Sequence, residues 1–161
     1  FSITSPEVLL NARTLFNDKM TRFAEETNCS LGVFVDRHFG SLKRVLLLAK
    51  DATDREVLFP LARHLSKAHN ASIAILPLSL GENAPALDLG PVPEEANLLT
   101  SGDGVGVLRG YDFLFISYDT WGLLTEVRPE ILQELPSTLI VRALERNADP
   151  LAIPATKNMF E

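Results

Sequence analysis

Arg44-Val45-Leu46-Leu47-Leu48-Ala49, then Lys50-Asp51-Ala52-Thr53-Asp54-Arg55-Glu56, and after a helical run Ser72-Ile73-Ala74-Ile75-Leu76-Pro77-Leu78, is the stretch that decides the fold. The first segment is a continuous Val/Leu run, which suits a strand buried on both faces of a parallel sheet better than a half-exposed hairpin strand. Thr53-Asp54-Arg55-Glu56 has the pattern of a capping box, with Thr53 at the N-cap and Glu56 reaching back to its amide. Val57, Leu58, Leu61, Ala62, Leu65 and Ala68 continue at helical spacing, with Pro60 near the first turn and Asn70 as the stop. The strand at 72–78 comes one crossover later. The two strands are therefore expected to be parallel neighbours with the helix packed on the sheet.

Outward from this unit, Leu31-Gly32-Val33-Phe34-Val35 is a short apolar run closed by a polar, glycine-containing stretch, and it predicts a strand. Before it, Ser5-Pro6-Glu7 reads as a helix start, and Leu9, Ala12, Phe16 and Phe23 recur on one face, predicting an amphipathic helix over 6–26. Toward the C-terminus, 81–93 is expected to be an irregular loop and 94–99 a short helix. A strand is expected over 111–117, a short helix over 126–135 and a last strand over 138–142. Strands alternating with helices give an α/β domain with a mostly parallel open sheet covered on both faces. Residues 1–40 read as the end of a preceding similar unit or an added edge strand, 41–146 as the α/β unit, and 147–161 as a loosely held tail.

The chain has 161 residues, 46% of them hydrophobic, enough for one domain with a sizeable core. A net charge of −6 gives duplex nucleic acid or an anionic membrane surface no electrostatic reason to bind. One cysteine, Cys29, allows no internal disulfide and points to a reducing compartment, the cytoplasm. No apolar run approaches the ~20 residues of a membrane-spanning helix. The chain starts at Phe1 without signal-peptide features and is expected to be a piece of something longer.

In open α/β sheets ligands bind beyond the carboxyl ends of the strands. The segments to search are therefore 50–53, 79–81 and 117–125, all expected to be loops. Lys50, Asp51 and Thr53 lie where helix amides would receive a phosphate, but Asp51 and Asp54 already occupy that field, so a self-capped helix competes with an anion site. Ser117, Asp119 and Trp121, with Tyr118, could stack on and hydrogen-bond a base or line an interface, or pack under their own loop. The glycines at 102, 104 and 106 precede a strand instead of opening a helix, which is the wrong context for a dinucleotide loop. No Gly-Lys-Ser/Thr loop and no Gly-x-Ser-x-Gly elbow occurs. His64 and His69, five apart on one helix, diverge too far to share a metal, and they and His38 read as surface residues. Cys29, beside an apolar strand, reads as a small buried hydrophobe.

Three blocks carry a resemblance to a known family: Leu31-Gly32-Val33-Phe34-Val35-Asp36-Arg37, then Arg44-Val45-Leu46-Leu47-Leu48, then Asp54-Arg55-Glu56, with Tyr111-Asp112 before the later strand as a further likeness. In this order the chain, from about 29 to 118, resembles the cytosolic tail of CHX-type cation/proton exchangers. There, a strand ending in Val-Asp-Arg closes one universal-stress-protein-like unit and the next opens with an apolar strand and an Asp-Arg-Glu helix start. The resemblance implies a universal-stress-protein-like, Rossmann-like fold. It also implies a cytoplasmic regulatory domain of a membrane transporter that exchanges K+ or Na+ for H+, with the membrane part of the same transporter as partner. Domains of that type commonly dimerise through an edge strand, and many bind ATP or AMP. The chain departs from the nucleotide-binding members: 118–125 holds one glycine where they have a glycine-rich stretch, and Lys50 stands near their strand-end aspartate.

The expected function is accordingly a non-catalytic sensor or assembly module, acting through dimerisation or a small ligand, with no metal and an adenine nucleotide as the candidate ligand. The alternative is a stand-alone universal-stress-type adenine-nucleotide-binding protein. A nucleotidyl-transfer enzyme would need phosphate loops that the sequence lacks.

Overall fold

The computed structural model describes residues 2–3, 22, 26, 30–37, 40–78, 88–100 and 105–143. In chain order the elements are β1 (Ser2–Ile3), β2 (Leu31–Val35), β3 (Arg44–Ala49), α1 (Ala52–His69), β4 (Ser72–Pro77) and β5 (Ala96–Leu98), followed by a 3-10 turn, Val105–Gly110. Next come β6 (Phe113–Ser117), α2 (Tyr118–Val127), a second 3-10 turn, Pro129–Gln133, and β7 (Ser137–Arg142). The described strands form one seven-stranded sheet in the order β1-β2-β7-β6-β3-β4-β5. Every neighbouring pair is parallel except β2 with β7, which is antiparallel. The α/β class, the mostly parallel sheet and the β3-α1-β4 crossover are as the sequence predicts.

Period-two alternation within the strands sorts the core into two layers. Val45, Leu47 and Ala49 point to the face covered by Leu58 and Ala62 of α1, together with Ile73, Ile75, Phe113 and Phe115. Leu46 and Leu48 point to the opposite face, where Trp121 and Leu124 of α2 meet Val33, Leu114, Ile116, Ile140 and the second 3-10 turn. Burying both faces explains why β3 and β6 read as unbroken apolar runs. Full burial of one such Leu or Ile is worth about 1.5–3 kcal/mol.

Four local expectations are corrected. The N-cap of α1 is Asp51, not Thr53; its carboxylate accepts from the Asp54 amide at 2.9 Å. That earlier start places Pro60 well inside the helix, where its exposed ring faces solvent and the helix runs on to Asn70, a left-handed C-cap at φ 53°. The short helix expected over 94–99 is instead edge strand β5, paired parallel with β4 through Ile73↔Ala96 and Ile75↔Leu98. Of residues 117–125, expected to be a loop, Ser117 ends β6 and caps α2 and the rest begin α2, and the helix expected over 126–135 is replaced by the end of α2 and a separate 3-10 turn.

The helix expected over 6–26 lies outside the described residues except for Arg22 and Glu26, both helical and joined by an exposed ion pair of 3.6 Å. Most of the 81–93 loop, the glycines at 102 and 104, Cys29, His38 and the 147–161 tail also lie outside them.

Arg37 and Asp112, from the stretches behind the family resemblance, sit at joints of the fold. The Arg37 guanidinium donates to the carbonyls of Leu132 (2.9 Å) and Gln133 (3.2 Å), capping the second 3-10 turn, while its amide donates to Ser137 Oγ at 2.7 Å. One loop thus ties the end of β2 to the start of β7. Asp112 Oδ2 accepts from the amides of Lys43 (2.8 Å) and Arg44 (2.9 Å), pinning the start of β3 beside β6.

Candidate functional site at the carboxyl ends of β3 and β6

The sheet winds outward in both directions from β3: the chain goes through α1 to β4 on one side and later returns to β6 on the other. The loops after β3 and β6 therefore leave toward opposite faces, and the place between them is where open α/β sheets hold ligands. Lys50, Asp51 and Asp54 come to this place from β3 and α1, and Ser117, Asp119 and Thr120 from β6 and α2.

Asp54 is the centre of the group. Its side chain is buried, and Oδ2 accepts from the Lys50 amide at 3.0 Å and from the Thr120 hydroxyl. Thr120 is itself fully buried. The Lys50 ammonium donates to Asp51 Oδ2 at 2.7 Å and lies 3.8 Å from Asp54 Oδ1. Ser117 Oγ caps α2 by accepting from the Thr120 amide at 3.2 Å. Both helix N-termini thus have an acceptor supplied by the chain itself, which meets the demand an incoming phosphate would meet.

Burial acts to lower the pKa of Lys50, but its hydrogen bond to Asp51 and the charges of Asp54, Asp51 and Asp119 outweigh it and hold the ammonium above its ordinary value. Burial likewise acts to raise Asp51, yet the hydrogen bond from Lys50 and the amides of Asp54 and Thr53 keep its carboxylate below the usual range. Both groups therefore remain charged through neutral pH, so neither exchanges a proton there. One ammonium against three carboxylates leaves the place net negative, which disfavours a bare phosphate.

The residues expected to bind a ligand divide into three sets. Lys50, Asp51 and Ser117 are brought together and already engaged with neighbours in the chain. Thr53 and Asp119 are exposed in the first turns of their helices, with Asp119 near enough for its charge to act on Lys50. Trp121 is fully buried in the core under α2, so it cannot stack on a ligand from solution. Sequence reasoning missed Thr120 as a member of the site. It read Asp54 as a carboxylate occupying the helix N-terminus, not as a residue joining the two helices. The serine before Tyr118, with Trp121 and Leu124 three apart, was the available signal that a helix starts there. His64 and His69 are exposed as expected.

Among the described residues no group of three or more His, Cys, Asp or Glu could hold a metal ion, and no helix is long and apolar enough to cross a membrane. Comparison of the chain with family models, with characterised proteins and with solved structures found no match.

Proposed function

We propose that the chain is the cytosolic regulatory domain of a cation (K+ or Na+)/proton antiporter, built on a universal-stress-protein-like, Rossmann-like unit, and that it works without catalysing a reaction. One observation carries this reading: the residues behind the family resemblance hold the joints between elements. Arg37 ties β2 to the second 3-10 turn, Asp54 ties α1 to α2, and Asp112 ties β3 to β6. A likeness made of strand residues together with such joint residues is one of scaffold, as expected of a module whose job is to hold and transmit an arrangement. The order β5-β4-β3-β6-β7, all parallel, is the doubly wound order that the Rossmann-like assignment requires.

A domain of this kind regulates by being coupled to the transporter's conformations. A ligand or a self-association contact biases transport only by its differential affinity for two arrangements of the assembly. The self-capped helix starts and net negative charge at the strand ends favour a ligand other than a simple nucleotide phosphate, or regulation by contact.

The test is an antibody raised against this chain and used on fractionated cells of its source. A band that stays in the membrane pellet after alkaline carbonate extraction, at a mass well above 17.7 kDa, is the expected result. A soluble band at that mass would overturn the proposal in favour of a stand-alone protein. A thermal-shift screen of the purified chain against ATP, AMP, cyclic dinucleotides, K+, Na+ and pH then looks for the ligand, since one that binds only the folded form raises its apparent stability.

A further inference from the structure

Among the described residues two arginines, Arg37 and Arg55, bury the Nε of the guanidinium without a partner. Arg37 spends its other nitrogens on the carbonyls of Leu132 and Gln133, which accounts for its burial. Arg55 has no such account. Its side chain, 12% exposed, meets one acceptor, Glu56 Oε1 at 3.4 Å from Nη2, on a side chain that is itself well exposed. A guanidinium keeps its charge at every ordinary pH, and a buried charge that is not paired and hydrogen-bonded is costly. Asp51 and Asp54, the acids of the same helix turn, are engaged with Lys50, Thr120 and backbone amides instead. The chain nevertheless makes room for the group. Gly90 lies over it at φ 65°, where a Cβ would stand 3.3 Å from Nη2, and Leu89 anchors that segment in the core.

We propose that Arg55, roofed by Gly90, is the carboxylate-binding residue of a small-molecule site between α1 and the connection from β4 to β5, at the carboxyl ends of the strands. The Nε–Nη2 edge of a guanidinium donates two parallel hydrogen bonds to a planar carboxylate. In Arg55 that edge is almost unspent: Nε has no partner among the described residues and Nη2 has only the long contact to Glu56. The ligand is a carboxylate and not a phosphate dianion, because Glu56 lies against the same nitrogen and Asp51 and Asp54 stand in the same turn, so each further negative charge is repelled. It is a small molecule and not a protein surface, because so little of the side chain is open to solvent. To reach Nε the carboxylate has to displace 88–90 slightly, and the Gly90 amide, which donates to Asp88 Oδ1 at 2.8 Å, moves with that segment. This proposal rests on Arg55 and Gly90 and does not depend on the antiporter reading.

The test is an NMR titration of the full isotope-labelled chain with sodium acetate, against sodium chloride at matched ionic strength, followed through side-chain Nε–H and backbone amide signals. The Arg55 Nε–H signal and the Gly90 amide are expected to shift together and saturably in the millimolar range with acetate, while the Arg37 Nε–H signal stays in place. Chloride should move none of the three, and inorganic phosphate should bind more weakly than acetate. Glu56→Gln removes a competing carboxylate and should tighten acetate binding about twofold to fivefold, the worth of an exposed ion pair. Arg55→Lys keeps the charge but not the fork, and should abolish the saturable response at Gly90. If Arg55→Lys does not fold, the wild-type titration and the Glu56→Gln arm carry the test. No shift at Arg55, an equal shift with chloride, tighter binding of phosphate, weaker binding in Glu56→Gln, or a Gly90 response that survives Arg55→Lys would each overturn the proposal.

Discussion

The buried carboxylate of Asp54, in the first turn of α1, accepts a hydrogen bond from the buried hydroxyl of Thr120, in the first turn of α2. The two helices lie on opposite faces of the sheet, so this one contact bridges the place where β3 and β6 end. Asp54 also holds the Lys50 amide at 3.0 Å, and the bridge therefore fixes the β3–α1 turn as well as the helices.

Removing either partner leaves the other buried and under-satisfied. Thr120→Val is expected to cost about 1–2 kcal/mol and Asp54→Ala about 3 kcal/mol, because the second also strips Lys50 of its buried counter-charge. The double variant should fall short of the sum by at least ~0.5 kcal/mol, as groups in one network do. Urea unfolding of the four proteins measures this, and additive losses would mean that the contact carries no coupling.

The pH dependence of stability should have one component at each end. Asp51 is depressed, so its contribution is complete above the ordinary 3.8 and is lost as pH falls through its lowered folded value. Lys50 is raised, so its contribution is complete below 10.5 and is lost as pH rises through its raised folded value. Asp51→Ala should flatten the acid limb and, by removing the N-cap of α1, cost about 1 kcal/mol at neutral pH. Lys50→Met should flatten the alkaline limb. Glu130 and Glu134, held low by Arg128 and Arg109, contribute equally to all three proteins and cancel in the differences. Urea midpoints measured from acid to alkaline pH provide the comparison.

Trp121 is the one tryptophan of the chain, so intrinsic fluorescence reports on it alone. Its full burial predicts blue-shifted emission, weak quenching by acrylamide, and no direct quenching when ATP or AMP is added. Trp121→Ala should cost about 3–5 kcal/mol, the usual range for deleting a buried aromatic side chain. Red-shifted, readily quenched emission in the folded chain would place the indole in solvent and overturn the packing of α2.

Arg37→Ala should lower stability by about 1–2 kcal/mol, because the carbonyls of Leu132 and Gln133 lose a charged donor. Amide hydrogen exchange should speed up first in Leu31–Val35, the strand whose end the guanidinium fastens. Arg37→Lys should restore only part of the loss, since a point-charge ammonium does not reproduce the two-pronged fork. Unchanged exchange in β2 would show that the ladder alone seats it.

What the sequence determined by itself is the sheet's parallel core. The apolar runs of β3, β4 and β6 are long enough, and far enough apart along the chain, that only strands buried on both faces satisfy them. A helix-length segment between β3 and β4 leaves no geometry but a crossover. It also placed Lys50 and Asp51 at a strand end. Tertiary structure alone decided the rest. Ala96-Asn97-Leu98 is too short to show any period, and it is a strand because the edge of β4 offers it hydrogen bonds. Tyr118, Thr120, Trp121 and Gly122 are weak helix formers, and they are helical in α2 because burying Thr120, Trp121 and Leu124 against the sheet outweighs their local preference. Thr53 and Asp51 are both competent caps locally; Asp51 is the one used, in the same turn whose Asp54 carboxylate accepts from Thr120 across the sheet. A local sequence states what each segment can do, whereas which of its options is used depends on the neighbour it meets.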